Sequence, residues 1–175
     1  VRNLAFILLG FAILVLQSAV STRVSLDVWS PNLLLPIVLY LGVSHDVHIV
    51  RGASLSFVLG YLLDSFSGSP MGLSTFVMVA TFLVARGAGV NLLMRGRIFQ
   101  IVLTFAFGVL AGGAVLALRA IFEPPAPFPI PGVSGTILSV GGGAAVTSIL
   151  APAMFLFVRR LDALVTRRRE EAAPT

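Results

Sequence analysis

The chain has 175 residues, 57% of them hydrophobic and only 11% charged, with a mean hydropathy of +1.02. A soluble domain carries about 25% charged residues, so the excess apolar material faces something other than water, and a bilayer is the obvious candidate. The formal charge is +5 and there is no cysteine, which excludes a disulfide framework and a thiolate metal site.

Six apolar runs predict six helices. The first, residues 4–20, follows Arg2. Its Gln17-Ser18-Ala19 end is similar to a signal-peptide cleavage region, but the run is longer than the about 7–15 residues of a signal core, so a retained first helix is expected. The second run, 33–43, opens on Pro31-Asn32 and is interrupted by Pro36; the third covers 53–63. Both are short, since a crossing takes roughly 20 residues at about 1.5 Å each. They form either short crossings screened by neighbouring helices or a re-entrant hairpin. The fourth run covers 71–85, with an extension to about Met94 as the alternative. The fifth covers 98–121, and the sixth covers 137–158 with Pro152 inside it. The expected domains are a six-span bundle over 1–160 and a basic, then acidic, cytoplasmic tail over 161–175.

All twelve basic residues are arginine, and they lie between the apolar runs. Membrane topology accounts for that placement better than nucleic acid does. With six crossings and both termini in the cytoplasm, Arg2, Arg51, Arg86, Arg95, Arg97, Arg159, Arg160, Arg167, Arg168 and Arg169 fall inside. Only Arg23 and Arg119 fall outside, which is the positive-inside pattern. The proline-rich stretch EPPAPFPIPG, residues 123–132, reads as a stiff outer connector. Trp29, in the first outer loop, reads as an interfacial anchor. The end of the tail, RREEAAPT, is expected to be disordered.

Gly52, Ser56, Gly60 and Asp64 recur every four residues and so share one ridge of a helix. Small residues let a partner backbone come close where lipid supplies no hydrophobic drive. Gly108 and Gly112 on run five, with Ser139, Gly143 and Thr147 on run six, are further small sites. These positions serve either packing inside the bundle or docking of another protein.

A carboxylate at a bilayer centre costs roughly 2.5–3.5 kcal/mol, but Asp64 falls near the outer boundary, before the turn-forming SFSGSPMG. The first reading is a cap: Asp64 accepts backbone N–H groups of the turn made by Gly68, Pro70 and Gly72, or of the start of run four. A proton or cation site and an ion pair between subunits are the alternatives. The two histidines, His45 and His48, flank Asp46 and read as a cap between short helices, not a metal site. The acids are spread over both faces and the tail with no paired spacing. Gly141-Gly142-Gly143 lacks the lysine and hydroxyl of a phosphate loop. Neither catalysis nor a cofactor is expected.

The stretches PNLLLPIVLYLGV (31–43) and RGASLSFVLGYLLDSFSGSPMGLSTF (51–76) resemble the MreD family of bacterial rod shape-determining proteins. The resemblance is carried by Pro31, Gly52, Gly60, Asp64, Gly68, Pro70, Gly72 and Leu73, and covers about a quarter of the chain. It implies an all-α, six-helix inner-membrane bundle similar to the S-component fold of energy-coupling-factor transporters. It also implies a non-enzymatic subunit of the lateral-wall machinery that works with MreC, RodA and a class B penicillin-binding protein. The rival reading is a vitamin-binding, S-component-like transporter subunit, for which the outer loops offer few polar groups.

Overall fold

The computed structural model describes residues 2–21, 31–44, 47–67, 71–88, 96–122 and 133–171. Six helices carry them: α1 (Arg2–Ser21), α2 (Leu34–Val43), α3 (Ile49–Ser67), α4 (Leu73–Gly87), α5 (Arg97–Phe122) and α6 (Val133–Glu171). Each grows from one apolar run. Three of them, α3, α5 and α6, are long and apolar enough to cross a membrane.

Two helices exceed their expected length for identifiable reasons. α3 takes in residues 49–52 and 64–67. The Ser54 and Ser65 hydroxyls donate to the carbonyls of Val50 and Tyr61, one turn back, so these polar residues stay inside the helix without competing for its ladder. α6 runs unbroken past residue 160 to Glu171. Residues 161–171 contain no glycine or proline and are rich in Arg, Leu, Ala and Glu, all good helix formers. The boundary expected at 160/161 is therefore not a break in secondary structure, and the first part of the expected tail continues the last bundle helix.

The centre of the bundle is its shortest helix. Every residue of α2 is buried, and α2 touches each of the other five helices. A ten-residue helix is about 15 Å long, too short to span lipid, but α2 is walled in by protein. Pro36 does not interrupt it, because it falls in the first turn, where the missing N–H has no intrahelical partner to lose. The ends are tied to neighbours. Asn32 N donates to Thr147 Oγ1 of α6 at 2.9 Å, and Gln17 Nε2 of α1 donates to the Pro31 carbonyl at 2.6 Å.

The outer helices are apolar on both faces. On α1, Phe6, Leu9, Ile13 and Leu14 point into the core while Leu4, Leu8, Phe11 and Val15 face outward. On α5, Ile98, Val102, Phe105, Val109 and Leu110 are exposed. Continuous apolar surface of this kind is rare on water-soluble proteins and is what a bilayer-facing helix presents. Two core hydroxyls are satisfied within their own helices: Ser56 Oγ donates to Gly52 O and Thr147 Oγ1 to Gly143 O. This meets the need for internal hydrogen bonding where no water is at hand.

Candidate functional site

The ridge of α3 faces α4. A Cβ built on Gly52 would lie 2.4 Å from the ring of Phe82, and one on Gly60 would lie 2.5 Å from Thr75 Cα and 3.1 Å from Ser74 O. Ser56 between them is fully buried. The stripe is thus occupied by a helix of the same bundle, so its small residues serve the α3–α4 contact.

One turn beyond Gly60 the ridge ends in Asp64, which is 2% exposed. Its carboxylate accepts from the backbone N–H groups of Gly72, Ser74 and Thr75 at 3.0, 2.9 and 3.0 Å, and from the Thr75 hydroxyl at 2.7 Å. The N-cap residue of α4 is Gly72, at φ +101° with no side chain to cap with; glycine accepts that left-handed conformation without strain. The first N–H groups of α4 would lack acceptors, and Asp64 supplies them from the neighbouring helix. An acid in the last turn of α3 opposes that helix's own dipole. Electrically it belongs to α4, whose positive N-terminus it meets. Gly68 and Pro70 lie outside the described residues, so the described partners of Asp64 are Gly72, Ser74 and Thr75.

Beside this junction, α5 packs on α6 through its glycines. A Cβ on Gly108 would lie 3.0 Å from Ala144 Cβ, and one on Gly112 would lie 2.8 Å from Val140 Cγ1. Gly108, Gly112 and Gly143 also line a crevice of about 260 Å³, together with Asn32, Ser74, Ser139 and Thr147. Ser74 therefore both donates to Asp64 and borders the crevice, so the structure brings the cap at the end of the α3 ridge and the small residues of α5 and α6 to one region.

Several residues matter that the sequence did not single out. Arg86 Nη1 of α4 donates to the Ser44 carbonyl at the C-terminal end of α2, a cation at the negative end of a helix dipole. Tyr40 Oη donates to Asp162 Oδ2 at 3.3 Å and its ring meets Phe155 edge-on. Gly10 and Gly42 also mark close approaches, to Leu59 and to Ala85 with the Phe82 carbonyl. Arg86 is legible only as a cation near a predicted span end, and a lone glycine has no periodic partner to mark it. His45, Asp46, Trp29, Arg23 and Glu123 lie outside the described residues.

These features define a polytopic all-α membrane protein in which hydrogen bonds from Gln17, Asn32 and Arg86 and to Asp64 join one element to another. Residues 2–161 match the model of the rod shape-determining protein MreD family, and the chain belongs to that family. No curated protein and no solved structure matches it significantly. Membership places this multi-pass membrane protein in rod shape determination, in a family without catalytic activity.

Proposed function

We propose that the chain is a membrane scaffold of the lateral-wall elongation machinery. It holds the membrane helix of the bitopic protein MreC and through it acts with RodA and a class B penicillin-binding protein. Both termini are cytoplasmic in this reading. Arg86 meets the C-terminal end of α2 at Ser44, Arg97 and Arg159 share a recess with Tyr40 near that same end, and Gly52, next to Arg51, packs on Phe82 one turn before Arg86; the positive-inside rule assigns this end to the cytoplasm.

The observation that carries the docking reading is the outward face of α5. The α3 stripe is filled by α4, whereas a Cβ on Gly113 would have nothing within 4 Å. Gly113 is exposed, and Ala106, Ala117 and Ala120 lie exposed on the same face. Open small residues are what allow a second helix to approach closely in lipid. Gly113→Leu is expected to lower co-purification of full-length MreC by about tenfold with the thermal unfolding midpoint unchanged, since the position is exposed and a Cβ there meets no atom within 4 Å. Full recovery of the complex with this variant would remove the face from consideration.

One observation favours the second reading, an S-component-like subunit that binds a vitamin. The crevice has polar groups on its wall, and the buried Asn32 Oδ1 has no hydrogen-bond partner among the described residues. Most of that wall is small and apolar, so the scaffold reading predicts no binding when purified protein is titrated with a vitamin panel at micromolar concentration. Saturable binding that is lost in Asn32→Leu would reverse the order of the two readings.

A further inference from the structure

The opposite, arginine-rich end of the bundle carries a second recess, of about 160 Å³, between the start of α5 and the middle of α6. Arg97 and Gln100 line it from α5, and Arg159, Leu156 and Phe155 line it from α6, with Pro152 and Tyr40. Two guanidinium-bearing side chains thus border one small space from facing helices. No carboxylate stands among the described residues that line it. Asp162, one turn past Arg159, accepts from the hydroxyl of Tyr40 on the recess wall.

An anion in this recess would meet a guanidinium from each of two facing helices. Arginine is the side chain best shaped for that anion, since its planar fork matches phosphate oxygens in pairs. Gln100 adds an uncharged donor. The recess opens where the arginine-rich end meets the apolar flank. Leu156 and Phe157 of α6 and Ile98 of α5 are exposed around it. A ligand there has its anionic group among arginines and an apolar surface directly alongside.

We infer that this recess binds the phosphate group of an anionic phospholipid, with its acyl chain lying along the exposed flank of α5 and α6. Basic pockets between membrane helices at the cytoplasmic surface suit such headgroups. A free phosphate would satisfy the arginines equally but leaves the apolar flank unused, so the lipid is the occupant the site fits better. The inference is independent of MreC docking, because it uses the other side of α5 and the other end of the bundle.

The test is lipid enrichment around the purified, full-length protein in nanodiscs of phosphatidylcholine doped with phosphatidylglycerol, read by native mass spectrometry. The wild-type chain is expected to retain phosphatidylglycerol about tenfold over its bulk share, and Arg97→Gln with Arg159→Gln to bring retention close to the bulk share. Both arginines are exposed, so the fold is expected to survive, which unfolding midpoints will show. Arg51→Gln, an exposed arginine outside the recess, should leave enrichment intact. Loss with Arg51→Gln equal to that of the double variant would replace the site with diffuse surface charge. Unchanged enrichment in the double variant would overturn the assignment. Displacement of the lipid by millimolar inorganic phosphate would make soluble phosphate the ligand and overturn the lipid.

Discussion

Asp64→Ala is expected to lower the unfolding free energy of the bundle by roughly 3 kcal/mol or more, read as an earlier thermal transition in detergent and reduced accumulation in the membrane. The carboxylate holds three backbone N–H groups and one hydroxyl at the start of α4. Deleting it strands all four, and the three on Ser74 and Thr75 are buried. A buried donor left without an acceptor costs about 1–3 kcal/mol, and bonds to a charged acceptor are the stronger ones. Partial access of water to the turn keeps the total below the simple sum of four.

Asp64→Asn separates the cap from a proton or cation site. Asparagine keeps the shape, but one of its two terminal atoms becomes a donor facing other donors, and the charge opposite the α4 dipole is gone. A cap therefore predicts a stability loss of roughly half that of alanine. A proton-transfer site predicts normal stability with loss of rod shape. If Asp64→Asn unfolds at the wild-type temperature while cells round up, the cap is not the main role of this residue.

Much of this arrangement is readable in the residues, and the gaps have physical causes. Six apolar runs give six helices because polar, glycine or proline residues separate each run from the next. The short second run could be read as a crossing or a hairpin because length alone does not say what surrounds a helix. Full burial of α2 by five neighbours resolves its shortness, and that is a tertiary fact. The four-residue spacing of Gly52, Ser56, Gly60 and Asp64 shows that some backbone comes close, yet a stripe of small residues carries no information about whose backbone it is. Only the packing shows that α4 fills it. The role of Arg86 at the end of α2 is hidden for the opposite reason: the positive-inside pattern already accounts for it, so its bond to the Ser44 carbonyl leaves no separate trace. The continuation of α6 past residue 160 is hidden because a charged, apolar-poor segment looks the same whether it is a solvated helix or a coil.

Gly60→Ala carries the second large effect, and it tests how the ridge and the cap depend on each other. The added methyl would sit 2.5 Å from Thr75 Cα and 3.1 Å from both Ser74 O and Thr75 N. All three are backbone atoms, so no rotamer change can relieve the overlap; α4 must move away from α3. Overpacking of this kind costs about 1–3 kcal/mol, and here the movement has a further consequence. Thr75 N, which the methyl would push, donates to Asp64, and so does the N–H of Ser74, whose carbonyl the methyl would also push; hydrogen bonds weaken steeply once their geometry is lost. The expected loss is therefore about 3 kcal/mol, at the upper end of the range for a single methyl. Because Gly60→Ala already loosens the cap, adding Asp64→Ala should cost at least about 1 kcal/mol less than it does alone. A double-mutant cycle on unfolding free energies in detergent measures that difference. Strict additivity would mean that the close approach at Gly60 and the capping by Asp64 are separate devices that merely share a ridge. Non-additivity of the expected sign would mean that the glycine is there to bring the α4 N-terminus within reach of the acid.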